Sequence, residues 1–348
     1  MRLFQVMASG GPGGAEAFFE RLAPALRRAG VMQHLALRRG APITERLRKT
    51  GLDIVELPFG GLFDFRTKPA LRCAIDEFKP DVVLSWMNRA TKFASRGNYT
   101  LVARLGGYYD LKYYRHCDHL VANTRGIVDY LRASGWPAER VHYLPNFVST
   151  GCEENGVCVP VVSVSRESLA TSKEAKLALA LGRLHPNKGF DILISAMAKL
   201  PSFHLWLAGE GDERGVLQAL AQKLGVSERV HFLGWRQDVP QLLKAADMFV
   251  CSSRHEPLGN VVIEAWAAGV PVVAAASAGP KELIKDFESG LLVPVESADA
   301  LAKAMQKLAD SDDLRDKLAA NGRAAFEAEF SEARVVALYK EFLEKVKR

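Results

Sequence analysis

Two glutamates, Glu256 and Glu264, stand eight positions apart in the stretch CSSRHEPLGNVVIEAWAAGVPVVAA. Pro257 and Gly259 keep the first part of this stretch out of a helix, and Gly259-Asn260 opens one. The first N–H groups of that helix lack intrahelical acceptors and can face an anion. A carboxylate in the loop and another about one turn into the helix can each accept hydrogen bonds from neighbouring hydroxyls, as a sugar or ribose diol presents them. The same spacing fits a simpler arrangement, in which Glu264 complements the helix dipole and Glu256 is a solvated loop charge.

Cations and glycine turns recur at comparable places. ALGRLHPNKGFDILI puts Arg183 and Lys188 in the connection between an apolar strand and a helix, and WLAGEGDER places Gly209 and Gly211 after the next strand. Taken alone, a Lys-Gly at a helix start also fits an ordinary surface cation. Glycines let a backbone pass close to a ligand. HFLGWRQDV adds Trp235 and Arg236 after a third strand; packing would explain the Trp equally well. Near the start, SGGPGGAEAFF leads from a strand into a helix through Gly11-Pro12-Gly13-Gly14-Ala15-Glu16. Its glycines lack the third position of a dinucleotide-binding fingerprint, which weighs against an NADP-dependent oxidoreductase although Arg38 and Arg39 would suit a 2'-phosphate.

These loops need strands and helices to hold them. Apolar runs LFQVM, QHLAL, DIVELP, DVVLSW, TLVARL and DHLVANT alternate with helical or turn-rich segments, among them helices over 16–29 and 43–49. A second series runs KLALALGRL, FHLWLAG, RVHFLG, DMFVCSS and VPVVAA, with helices between, one of them over 260–268. Three helices close the chain, the middle one spanning DDLRDKLAANGRAAFEAEF. Repeated β-α units imply parallel sheets with helices on both faces, and ligands bind such sheets beyond the carboxyl ends of the strands. A chain of 348 residues exceeds what one core serves, so two domains are expected. The boundaries read as 1–155, a linker over 156–173 where periodicity lapses, 174–328, and a C-terminal helix over 329–348 packing back towards the first domain.

Together these segments resemble the retaining GT-B glycosyltransferases of family 4 (glycosyl transferases group 1), and the resemblance runs through nearly the whole chain. It implies two Rossmann-like doubly wound domains facing across a cleft. It also implies transfer of a sugar from a nucleotide-sugar donor, UDP- or GDP-linked, with no further cofactor. On this resemblance Glu256 contacts the donor sugar, Glu264 holds the ribose hydroxyls, and Arg183 and Lys188 grip the diphosphate. Donor contacts further come from Pro257, Leu258, Gly259, Asn260, Val261, Gly209, Gly211, Trp235 and Arg236, with Gly13 and Gly14 from the first domain. Many family members carry a His near the donor sugar within a TxHD-like string. Here Gly106, Gly107 and Tyr108 occupy that region, and His116 and His119 align with a later connection. Glu16, Arg104, Tyr108, Tyr109 and Asn123 remain as acceptor or sugar contacts. His255 reads as a loop residue. A nucleotide-sugar epimerase, distinguished by donor turnover without acceptor, and a non-catalytic nucleotide-sugar-binding subunit remain alternatives.

Composition bounds the partners. Residues 1–150 hold 22 Lys and Arg against 13 Asp and Glu, while 151–348 hold 24 against 27. A basic first half that includes Arg89, Lys92, Arg96, Arg104, Lys112 and Arg115 suits an anionic acceptor at a membrane face. The family's habits suggest a glycan or glycolipid such as lipopolysaccharide core, and salt-sensitive affinity for anionic vesicles would mark the membrane association. Zinc-finger spacing, RNP-type aromatic strands and zipper-type basic helices are absent from the sequence, which weighs against nucleic acid. Five cysteines without CxxC pairing read as reduced thiols, and no DxD pair is placed as a metal clamp; Asp312 and Asp313 read as a helix-start complement. Transfer is therefore expected to proceed without metal. With no leader or apolar span, the expected location is cytoplasmic, with peripheral attachment at the inner membrane face as the second expectation.

Overall fold

The computed structural model describes residues 1–9, 11, 13–61, 64–148 and 161–348, with the backbone of 153–154 and 157–158. Contacts divide the chain into two units, Met1–Phe147 with Glu332–Arg348, and Val148–Ser331.

The first unit runs β1 (Arg2–Met7), α1 (Gly14–Arg28), β2 (Met32–Arg38), α2 (Ile43–Lys49), β3 (Asp53–Leu57), α3 (Thr67–Phe78), β4 (Val82–Trp86), α4 (Met87–Phe93), β5 (Thr100–Leu105), β6 (His119–Ala122), α5 (Arg125–Ala133) and β7 (Val141–Tyr143). The strands form one parallel sheet in the order β3-β2-β1-β4-β5-β6-β7. β4 and β5 are buried along their whole length, as strands covered on both faces must be. One face packs Phe18, Phe19 and Leu22 of α1 with Val335, Tyr339 and Leu343; the other packs Leu71 and Ile75 with Ile127 and Leu131.

An antiparallel pair, β8 (Glu153–Glu154) and β9 (Val157–Cys158), follows. The second unit continues through β10 (Lys176–Leu181), α6 (Phe190–Met197), β11 (Phe203–Ala208), α7 (Arg214–Lys223), β12 (Val230–Gly234), α8 (Val239–Ala245), β13 (Met248–Cys251), α9 (Asn260–Ala267), β14 (Val272–Ala275), α10 (Ala278–Leu283), β15 (Leu291–Val293), α11 (Ala298–Ala309) and α12 (Asp312–Ala325). Its parallel sheet has the order β12-β11-β10-β13-β14-β15. Both sheets therefore reverse direction of winding between their first and fourth strands, β1/β4 and β10/β13, which opens a crevice at the carboxyl edge.

Several elements differ from the sequence reading. β7, β15, α10 and the β8-β9 pair are additional, each too short to carry periodicity. The long penultimate helix stops at Ala325; Phe326–Phe330 widen into a π turn that buries Phe326 and Phe330 beside Trp266. Of the span read as linker, 156 and 159–160 lie outside the described residues, as do the side chains of 157–158. Residues 161–173 are fastened to the second unit: Arg166 donates to Ala245 O and pairs with Asp247 at 2.8 Å, and Trp206 Nε1 donates to Thr171 Oγ1 at 2.9 Å. Hydrogen bonds of single side chains hold this stretch, so no hydrophobic period announces it. Cys73, Cys117 and Cys251 are free thiols; Cys152 and the side chain of Cys158 lie outside the described residues.

The last helix, α13 (Glu332–Val346), belongs to the first unit. Lys340 Nζ donates to Ala29 O at 2.8 Å, Thr100 Oγ1 donates to Val346 O at 2.6 Å, and Glu332 pairs with Arg28. Beneath its end, His119 Nδ1 and His142 Nε2 lie 3.0 Å apart, with the His142 ring 4.7 Å from that of Phe342. Burial lowers both imidazoles; His119 is lowered further by Arg140, Lys345 and Arg348 against the opposing charge of Asp118, and His142, lowered to about 4, by His119, Lys345 and Arg132. Folded His142 thus binds fewer protons than unfolded His142 between its unperturbed value near 6.5 and about 4. Stability in that window should fall as the solution is acidified. Denaturant unfolding at pH 7 and pH 5 is expected to show His142→Gln losing roughly 1–2 kcal/mol less than the parent. Parallel losses would refute this source of acid sensitivity.

Candidate functional site

The carboxyl edge of the second sheet is built by loops that keep strand spacing after the strands end. Gly182 N donates to Ala208 O at 3.0 Å, Leu184 N to Glu210 O at 2.9 Å, and Gly209 N to Gly234 O at 2.8 Å. Gly209 has φ +151°, and a Cβ there would overlap the carbonyl oxygen of Gly182. Two residues further along the same loop, a Cβ on Gly211 would overlap the carbonyl oxygen of Leu184. Arg183 is carried between them, exposed, with no hydrogen bond or ion pair to the described residues.

Beyond Arg183 the chain makes a 3-10 turn, Pro186–Lys188, and enters α6 through Gly189 at φ +62°. Gly189 is pressed against the Ser252 carbonyl, where no Cβ fits. Ser252 Oγ donates to Lys188 O at 2.9 Å and His255 N to Asn187 O at 3.1 Å. The loops following β10 and β13, the two strands at the winding reversal, are thus clipped together.

That clip brings Lys188 Nζ to 2.5 Å from Glu256 Oε2, with the side chains 22% and 13% exposed. Gly279 N donates to Glu256 O at 2.7 Å, Leu258 is buried, and Gly259 in the left-handed region starts α9. Asn260, Val261 and Glu264 lie in the first turns of α9, whose positive dipole end stands beside Pro257 and Glu256. A paired ammonium retains N–H donors and a paired carboxylate retains lone pairs, so Lys188 and Glu256 can still bind a phosphate oxygen and a hydroxyl respectively.

Trp235 is 72% exposed, which excludes the packing alternative and leaves an aromatic face in solvent. Arg236 is held by Asp238 at 2.8 and 2.5 Å; its pKa is raised by that bond and the carboxyl of Asp238 is lowered.

In the first unit, Gly13 precedes α1 in extended conformation, Gly14 is its first residue, and the Glu16 carboxylate folds back over Gly13. Tyr108 is 54% exposed and held edge-on by Tyr130 at 5.4 Å, whose hydroxyl donates to Tyr109 O at 2.9 Å. Burial and then the charge of Glu16 push the Tyr109 phenol up. Asn123 is buried, and its Oδ1 has no hydrogen-bond partner. Arg104 corrects the sequence reading of a surface cation. It is 1% exposed, donates from Nε to Tyr339 Oη at 2.8 Å and from Nη2 to Asn146 Oδ1, and lies over the rings of Phe18 and Trp86. Aromatic faces and neutral acceptors accommodate the buried charge, and the residue fastens α13 to the sheet. His116 bonds the carbonyls of Thr91 and Ala94, and His119 pairs with His142 beneath α13. Asp312 and Asp313 occupy the first turn of α12.

Sequence reasoning missed Arg254, which ties the loop after β13 to Asp191 in the first turn of α6 and to Glu296 after β15. Its partners lie 63 and 42 positions away, beyond any local pattern.

Family models agree with this layout. Residues 162–325 match glycosyl transferases group 1, and residues 12–151 match glycosyltransferase family 4. Over 96% of each chain, the sequence is 38% identical to the lipopolysaccharide core biosynthesis glycosyltransferase LpsE of Rhizobium meliloti (strain 1021). The chain belongs to the family 4 glycosyltransferases. This glycosyltransferase is also 34% identical to LpsD of the same organism, another lipopolysaccharide core biosynthesis glycosyltransferase, over 95% of this chain and 94% of that one. Its fold is GT-B. Anabaena HepE, solved with UDP, superposes with a TM-score of 0.85 at 22% identity over 99% of this chain and all of that one. WaaG, a glycosyltransferase involved in lipopolysaccharide biosynthesis, gives 0.71 at 20% identity over 99% of each. Among the described residues, no helix is long and apolar enough to cross a membrane.

Proposed function

We propose that this glycosyltransferase moves a sugar from a UDP-linked donor to a glycan of lipopolysaccharide-core type, with retention of configuration and without metal. The observation that carries the donor reading is the Lys188–Glu256 contact beside the exposed Arg183, at the winding reversal of the second sheet. Arg183, Lys188 and the start of α9 hold the diphosphate. Glu256 accepts from the sugar hydroxyls, Glu264 from the ribose, and Trp235 offers a face to the base. Gly209 and Gly211 bring backbone close to the nucleotide. The acceptor is assigned to the first unit, whose strand-end loops carry Gly13, Gly14, Glu16, Tyr108 and Tyr109. The bond between the anomeric carbon and the phosphate oxygen breaks as the acceptor oxygen attacks the same face, and the departing phosphate takes the acceptor's proton. The two cations stabilise the charge left on the diphosphate.

The complexes of HepE with UDP and UDP-glucose support a uridine donor, and the names of LpsE and LpsD support the acceptor class. A thermal-shift screen of UDP, GDP, ADP and their sugars should give the largest stabilisation with UDP compounds. At a hundredfold excess over Kd the gain would be about 2.7 kcal/mol. A larger response to GDP would reassign the base, and no response to any of them would sink the donor reading. Transfer should persist in excess EDTA; its disappearance there would disprove metal independence.

A further inference from the structure

Arg254 stands two residues before Glu256 and has the charge to bind a diphosphate, yet its bonding leaves nothing for one. Nη1 donates to Pro186 O at 2.8 Å and Asp191 Oδ1 at 2.7 Å. Nη2 donates to Asp191 Oδ2 at 2.6 Å and Glu296 Oε2 at 3.0 Å, and Nε donates to Glu296 Oε1 at 2.5 Å. A guanidinium has five N–H donors, and all five are used within the protein. Two carboxylates face the one cation, so the group adds no net positive charge to the site.

What the five bonds do is mechanical. Pro186 and Asp191 flank the turn that bears Lys188; Arg254 belongs to the loop that bears Glu256; Glu296 lies after β15, at a left-handed φ of 65°. Three strand-end loops converge on one planar fork. The neighbouring bonds, Ser252 Oγ to Lys188 O and His255 N to Asn187 O, complete a clamp of which Arg254 is the charged member. A lysine there would keep the charge but could not span both carboxylates and the Pro186 carbonyl in fixed directions.

We infer that Arg254 is a positioning residue for sugar transfer: through Asp191, Pro186 and Glu296 it holds the Lys188 loop against the Glu256 loop, setting the geometry in which the donor diphosphate is bound. This rests on the donor reading of Lys188 and Glu256 above.

The test is a double-mutant cycle on UDP affinity, measured by calorimetry for the parent, Arg254→Lys, Lys188→Ala and the double variant. Arg254→Lys should weaken UDP about tenfold, and Lys188→Ala about tenfold or more. In the Lys188→Ala background the Arg254 substitution should change affinity by less than about twofold. Independent, multiplying losses would show that Arg254 acts on UDP binding by a route other than the Lys188 loop and would overturn the inference while leaving the donor reading intact. Unchanged UDP affinity in Lys188→Ala would overturn both. Should Arg254→Lys fail to fold, Glu296→Gln keeps the Asp191 bonds, weakens the remaining pair, and should show a smaller loss with the same dependence on Lys188. Arg229→Lys is the control. Arg229 anchors the Leu200 and Phe203 carbonyls away from these loops, so its change should lower Tm without altering UDP affinity.

Discussion

Glu256→Gln is expected to lower transfer by about 10²–10³-fold while leaving UDP affinity unchanged or slightly improved. The substitution preserves shape and removes the charge. In the parent, Glu256 Oε2 meets the Lys188 ammonium at 2.5 Å with only 13% of the side chain exposed, so its position is fixed before any donor arrives. A carboxylate fixed in this way accepts strongly from the sugar hydroxyls, whereas a neutral amide accepts weakly and turns an N–H₂ group towards one side. The diphosphate contacts proposed for Arg183, Lys188 and α9 are untouched. Lys188 loses a competing partner, which accounts for the predicted sign on UDP binding. Steady-state transfer and UDP calorimetry on one preparation separate the two effects. Transfer at the parental rate would remove Glu256 from the chemistry, and a parallel collapse of UDP binding would make it a structural support instead.

The strand series was legible because buried parallel strands read as continuous apolar runs, and TLVARL and KLALAL were placed almost to the residue. The same rule explains the misreading of Arg104. A cation at the end of such a run looks like the start of the surface, and only the stacking of Phe18 and Trp86 from α1 and β4, with Tyr339 from the C-terminal helix, makes an interior place for it. β15 and α10 escaped because three residues of LLV and six of AGPKEL are too few to repeat a period of 2 or 3.6 recognisably. The candidate donor residues were legible as residue types in strand-end loops. Their mutual geometry was not, since it is fixed by Arg254 and Ser252 across long sequence separations. Trp235 illustrates the limit from the other side: its identity was visible, but whether it packs or faces solvent is decided by what the fold leaves uncovered.

The backbone of this site is open to an independent test at a position without a side chain. Gly209→Ala should destabilise the second unit by about 3 kcal/mol or more, because an L-residue at φ +151° is strained and its Cβ would overlap the Gly182 carbonyl oxygen. No rotamer relieves the clash, since the position of a Cβ is set by its own backbone and the atom it meets is a backbone oxygen. The loops after β10 and β11 must separate, at the expense of the bonds from Gly182 N to Ala208 O and from Leu184 N to Glu210 O. Arg183 lies between those two bonds and Lys188 follows in the same loop, so the displacement should reach both proposed phosphate cations. UDP affinity is therefore expected to fall about tenfold or more in the molecules that remain folded, together with a drop in Tm of roughly 6–12 °C. The pairing of the two losses is the diagnostic feature. A lowered Tm with parental UDP affinity would mean that the glycine serves packing alone, and the donor diphosphate would then have to be sought away from the β10 and β11 loops.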